Sequence, residues 1–211
     1  MRNVPWLFFD LGSTLIDETD ALVRRIRETV SGTDVRLEDF MRVSNARYAE
    51  GLDGYKAAVD AFHLSRTPWH SEEERPYHNA ASTLQVLKTG GRRLGVIANQ
   101  LPGTKQRLAR WGLLPFFEVV AASAECGFQK PDQEIFLFAL RQAGCAPENA
   151  VMIGDRVDND LIPAKALGMQ TVRVLTGPFS ASPSPEDAAD ATVRSLSALS
   201  ELFPASFTER L

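Results

Sequence analysis

Hydrophobic positions change their spacing twice along this chain. An unbroken apolar run from Val4 to Phe9 drives into Asp10, and Gly12 and Ser13 then turn the chain. A short run of this kind, bounded by turn residues, predicts a buried strand. The spacing then becomes helical. Leu22, Val23, Ile26 and Val30 predict one helix, Leu37, Phe40, Met41 and Val43 a second, and Tyr55, Ala58, Val59 and Phe62 a third. None of this stretch reads as a strand. An all-helical block between two strands is too long for a simple crossover. Residues 16–83 are therefore read as an inserted helical cap, with Pro68 and Pro76 breaking its return path.

From Pro76 onward, helical and strand patterns alternate. The predicted helices are 77–88, 104–111, 131–143 and 158–167, each stopped by a following glycine, and 195–203 before a fraying tail. The predicted strands are 94–97, 117–122, 150–153 and 171–175, and 178–185 reads as a loop. Alternating β and α predicts an α/β fold, a doubly wound parallel sheet with right-handed crossovers. Residues 1–15 and 84–211 form its core, and 16–83 the α-helical cap.

Composition narrows the function classes. Apolar residues make up 44% of 211, enough for a sizeable core. The formal net charge of −4 and the absence of a basic stripe argue against a nucleic-acid partner. No apolar stretch approaches the ~20 residues needed to span a bilayer. The run before Asp10 is too short for a signal peptide. Cys126 and Cys145 lack metal-ligand spacing, and reduced thiols in a cytoplasmic protein are expected.

Chemistry concentrates at the predicted strand ends. A carboxylate at the tip of a buried strand is costly unless something pairs with it. Ligands of open α/β sheets bind at those tips. Asp10 is thus a candidate nucleophile or metal ligand, the competing reading being a cap for the following turn. Asn99, the loop at Lys130, and Asp155 fall at the other strand ends. Tyr77, His63, His70 and His78 are the polar aromatics in or near the cap.

Asp10-Leu11-Gly12-Ser13-Thr14 resembles the first motif, DxDxT, of the haloacid dehalogenase-like hydrolase superfamily. Lys130-Pro131-Asp132, within the segment from Gly127, resembles its third motif. Ile153-Gly154-Asp155 with Asp160, then Ala164, Gly168 and Met169, resembles the fourth, GDxxxxD. Val96-Ile97-Ala98-Asn99-Gln100 lies where the second belongs. The motifs follow the family's order.

The resemblance implies that Asp10 attacks phosphorus to form an aspartyl-phosphate. It makes Lys130 a catalytic and phosphate-binding cation. Asn99 and Gln100, with backbone amides following Asp10, are read as further phosphate ligands, the competing reading of Asn99 being a turn residue. It implies Mg²⁺ held by Asp10, the Gly12 carbonyl, Asp155 and Asp160, the last as a ligand or an outer partner. Asp158 is either a ligand or a helix cap. The function implied is Mg²⁺-dependent hydrolysis of a small phosphorylated metabolite.

Two positions depart from the family pattern. Gly12 stands where the family has a second Asp, its general acid and base. Ala98, or Asn99 if the register slips by one, stands where a Ser or Thr is usual. These departures keep two alternatives open: a weak or inactive relative that binds a phosphorylated ligand or partner, and dehalogenase or phosphonatase chemistry. They also imply that Gly12→Asp raises phosphatase activity.

Overall fold

The computed structural model describes residues 4–186 and 188–204. Strand β1 (Trp6–Phe9) ends at Asp10, and β2 (Ile16–Asp17) leads into three helices: α1 (Thr19–Val30), α2 (Leu37–Ala49) and α3 (Gly54–Ala61). The chain returns through β3 (Arg75–Pro76) to α4 (Ala80–Thr89), β4 (Arg93–Ala98), α5 (Thr104–Arg110) and β5 (Val119–Ala122). It continues through α6 (Ser123–Cys126), α7 (Gln133–Ala143), β6 (Ala150–Gly154), α8 (Ile162–Ala166), β7 (Gln170–Val174), β8 (Ala191–Val193) and α9 (Leu199–Leu202).

Six strands form one parallel sheet in the order β5-β4-β1-β6-β7-β8. Leu7 and Phe9 of β1 join one apolar cluster, with α4 and α9. Trp6 and Phe8 join another, with Ile135, Phe136, Ala139 and Leu140 of α7. A strand buried on both faces has no polar side to alternate, which is why β1 reads as a continuous apolar run. Burying a side chain such as Phe136 stabilises the fold by roughly 2–3 kcal/mol.

The helical segment has its own small core of Ile26, Phe40, Tyr55, Ala58 and Val59. It leaves and rejoins the sheet through β2 and β3, paired antiparallel with Ile16 opposite Pro76. Helix α4 packs with the sheet from its first residue, Ala80.

Several elements differ from expectation. The pair β2–β3 lies in the stretch that carried no strand signal, because two residues are too few to show alternation. Edge strand β8 and the single turn of α6 are unanticipated for the same reason. The helix expected over 158–167 begins instead as a π-helical turn, Val157–Leu161, before α8. The one expected over 195–203 is a 3₁₀ turn, Leu196–Ala198, followed by α9. Of the tail expected beyond it, residues 205–211 lie outside the described residues.

Candidate active site

Asp10 sits at the tip of β1, where its backbone N–H donates to the Ile153 carbonyl at 2.9 Å and pins it against β6. Two adjacent parallel strands thus bring Asp10 and Asp155 side by side. Asp160 joins them from the π-helical turn, its Oδ2 accepting from Arg156 N at 3.0 Å. That approach needs a glycine: a Cβ on Gly154 would lie 2.3 Å from Asp160 Oδ2. Asp10, Asp155 and Asp160 are all buried and place one carboxylate oxygen each within 4.8 Å of one another.

Lys130 enters this cluster from the loop after α6. Its Nζ donates to Asp10 Oδ1 at 2.5 Å and to Asp160 Oδ1 at 2.6 Å, and the residue is 3% exposed. Asn99, at the end of β4, holds that loop. Its Oδ1 accepts from Lys130 N at 2.7 Å and its Nδ2 donates to Lys130 O at 2.8 Å. Both ends of the Asn99 amide are therefore committed to positioning the lysine. Gln100 is engaged too, its N–H with Ser123 Oγ (3.0 Å) and its Oε1 with Arg107 Nη2 (2.9 Å).

The charges do not balance. Burial, then the neighbouring Asp160 and Asp10, push the Asp155 carboxyl well above its usual range. Asp155 forms no side-chain hydrogen bond or ion pair with the described residues. Burial also lifts Asp160, to about 6, against the pull of Lys130. Burial opposes the Lys130 ammonium, but Asp10 and Asp160 outweigh it and raise its pKa. Three carboxylates around one ammonium leave excess negative charge in a nearly dry site. Such an all-oxygen donor set fits a hard dication of the Mg²⁺ type.

The junction between β2 and α1 carries an acidic residue that the sequence reading did not single out. Glu18, just before α1, accepts from Ser13 Oγ at 3.3 Å. Its carboxyl lies over Gly12: a Cβ there would come within 2.5–2.7 Å of the Glu18 carboxyl atoms. Part of Glu18 reaches the surface, yet its carboxyl is enclosed. Burial, then Asp10 and Glu74, push its pKa up to about 8. The bare Gly12 was the only signal in sequence that this volume needed another occupant.

The remaining candidates are dispersed. Asp158 pairs with Arg156 at the surface, 2.6 Å from its Nη2, outside the carboxylate cluster. His70 joins Glu28 and Glu72 in an exposed network on the helical segment. Tyr77 borders a cavity between the helical segment and the sheet. Cys126 and Cys145 are both free.

Known proteins resemble this chain in sequence and in fold. The family model described as haloacid dehalogenase-like hydrolase matches residues 7–174. The glyceraldehyde 3-phosphate phosphatase of Methanocaldococcus jannaschii is 32% identical over 221 residues, covering 94% of this chain and 96% of that protein. The pyrophosphatase PpaX of Bacillus velezensis is 27% identical over 182 residues, covering 82% and 84%. Among solved structures, a HAD phosphatase from Thermococcus onnurineus aligns with a TM-score of 0.66 at 23% identity, covering 97% of this chain and 99% of that one. A dehalogenase with an intermediate complex aligns at 0.70 and 21%, covering 96% and 98%. At those identities the two structures speak for the fold alone.

Proposed function

The chain belongs to the haloacid dehalogenase-like hydrolase family, and from that premise we propose that it is a Mg²⁺-dependent phosphatase of a small phosphorylated metabolite. The observation that carries this reading is the buried cluster of Asp10, Asp155 and Asp160 around the single ammonium of Lys130. The phosphatase names of its relatives support it.

Lys130 holds Oδ1 of Asp10, and Oδ2 has no hydrogen bond among the described residues. That oxygen attacks phosphorus: the Asp10 O–P bond forms as the bond to the alcohol oxygen breaks. The alcohol departs with a proton from the Glu18 carboxyl, and the Glu18 carboxylate then takes a proton from the water that attacks phosphorus, freeing phosphate and the Asp10 carboxylate. Splitting one displacement into two is the general advantage of a covalent nucleophile. Lys130 steadies the nucleophile and offsets charge on a phosphoryl oxygen. Asn99 acts through Lys130 as a positioning residue, and Gln100 borders the opening beside it. Asp10, Asp155, Asp160 and the Gly12 carbonyl are the groups that would hold Mg²⁺. When bound, the ion supplies the charge neutralisation that lets a carboxylate approach a phosphate dianion.

In this reading residues 16–83 serve as a cap over the strand ends, which excludes water from the site. No helix among the described residues is long and apolar enough to cross a membrane. We place the enzyme in the cytoplasm, with a small phosphorylated molecule rather than nucleic acid as its partner.

Asp10→Asn tests the mechanism. An amide cannot attack phosphorus, so turnover of p-nitrophenyl phosphate with Mg²⁺ should disappear while the circular dichroism spectrum is unchanged. Activity near the parent level in the purified variant would overturn the covalent route.

A further inference from the structure

Two openings meet where the helical cap faces the sheet. One, of about 410 Å³, is bordered by Asn99, Gln100 and Ser123 at the strand ends. The other, of about 380 Å³, lies among the cap helices and is bordered by Arg25, Tyr48, Tyr55 and Met41. Glu18 and Trp69 border both. A substrate with its phosphate at the strand ends therefore has the second chamber for its alcohol part.

Arg25, on α1, is the cation of that chamber without a counter-charge. Its Nε donates to the Thr67 carbonyl at 2.9 Å. Its guanidinium carbon lies 3.9 Å from the Tyr55 ring centroid and 5.8 Å from that of Trp69. Tyr55 is itself fixed by hydroxyl contacts to Thr29 (2.8 Å) and to the Thr67 N–H (3.0 Å). No carboxylate pairs with Arg25, and its two terminal NH₂ groups have no acceptor among the described residues.

Its neighbours are spent. Arg24, one residue earlier, pairs with Glu28, Glu72 and Glu73. Arg156, the chamber's other arginine, is clamped by Asp158. Asp53, also on the chamber wall, forms no ion pair with Arg25 and accepts from Lys56 N at the start of α3. A guanidinium stacked on Tyr55 and anchored through Nε, with its terminal NH₂ groups unused on a residue that lines a cavity, matches a planar oxyanion.

We propose that Arg25 is the specificity-determining residue of this enzyme, and that its substrate is a small phosphomonoester bearing a carboxylate on its alcohol part. One guanidinium without an ion-pair partner matches one carboxylate. A second phosphate dianion would need a further cation, and Arg156 is already engaged. The inference rests on the phosphatase reading above, and it adds the substrate class.

The test pair is 3-phosphoglycerate and glycerol 1-phosphate, which share a three-carbon skeleton and differ in carboxylate against hydroxymethyl. With Mg²⁺, the parent should show at least about tenfold higher kcat/KM for the carboxylate, the scale of one charged hydrogen bond. Arg25→Gln should lower kcat/KM for 3-phosphoglycerate by about 10- to 100-fold, nearly all in KM. Glycerol 1-phosphate should lose less than about threefold, within the range of ordinary surface changes. Arg25→Lys, which keeps the charge and loses the fork, should fall between, and Arg24→Gln should match the parent. Equal turnover of both substrates by the parent, or an equal loss on both in a folded Arg25→Gln, overturns the assignment.

Calorimetric binding to Asp10→Asn separates this failure from failure of the phosphatase reading. If the parent turns over neither ester but Asp10→Asn binds 3-phosphoglycerate more tightly, and Arg25→Gln removes the difference, the phosphatase reading falls and the role of Arg25 stands. If Asp10→Asn binds the two equally, the role of Arg25 falls.

Discussion

Glu18 and Gly12 share one volume, and the consequences can be worked out residue by residue. Gly12 does not lie in the left-handed region, so backbone strain is no obstacle to a side chain there. The obstacle is the Glu18 carboxyl, 2.5–2.7 Å from where a Cβ would stand. Gly12→Asp alone therefore crowds a second carboxyl against Glu18 rather than filling a gap. It should lower the melting temperature and leave turnover of glycerol phosphate no higher than the parent's. Glu18→Ala should lower that turnover, and adding Gly12→Asp should restore part of it by returning a carboxyl to the same place. Strictly additive effects in this cycle would show that the two positions do not compete. The pH dependence has a definite sign. A carboxyl whose folded pKa is raised binds its proton more tightly in the native state, so its contribution is full below the unfolded value. That contribution is lost as pH rises. For Glu18 the window runs from its ordinary 4.5 to about 8. Metal-free protein should lose stability across that window, and Glu18→Gln should recover about 2 kcal/mol near pH 8, well below the full linkage value because part of the residue is solvated. Denaturant melts in EDTA at pH 5 and pH 8 would show it. An unchanged slope in the variant would rule Glu18 out as the source.

At the scale of elements, the sequence revealed those long enough to show a period and hid those that are not. Helices α1, α2, α3 and α7 carry three or more apolar positions at helical spacing, β1, β4 and β6 carry apolar runs, and β7 alternates with Val172 and Val174. The pair β2–β3 and the edge strand β8 have two or three residues each and carry no period to read. The same limit applies to the site. Asp10, Lys130, Asp155 and Asp160 were legible because each is embedded in a motif of fixed spacing. Glu18 was not, because its role depends on how the turn after Asp10 folds back. Asn99 stands at a strand end where a phosphate ligand is expected, and its amide braces β4 against the Lys130 loop, a contact that sequence spacing does not show. Asn99→Ala removes two hydrogen bonds and leaves the buried Lys130 backbone groups unpaired. It should cost about 1–3 kcal/mol. It should also lower kcat more than the matching change at Gln100. Thermal melts with parallel kinetics would check this, and parental stability in Asn99→Ala would show that the loop needs no brace.

For the molecule as a whole, the sheet and the helical segment are separate bodies of packing joined at few points. Tyr48 of α2 meets Phe179 edge-on at 4.9 Å. Trp69 Nε1 donates to Glu74 Oε1 at 2.7 Å, and Arg107 of α5 lies 3.7 Å from the other oxygen. The two chain crossings lie side by side in β2–β3, with Ile16 opposite Pro76. Directly opposed antiparallel residues are only ~5 Å apart at Cα, a gap that a two-residue turn closes. The helical segment is thus a cassette, its entry and exit stitched together in the fabric of the fold. Splicing a short Asn-Gly turn between Ile16 and Pro76 should leave a sheet that still melts cooperatively. The excised version should accept bulky aryl phosphates and lose discrimination among small ones. What the chain acts on could then be exchanged by trading cassettes across one pair of residues, with Asp10 left in place and the carboxyl of Glu18 travelling with the cassette.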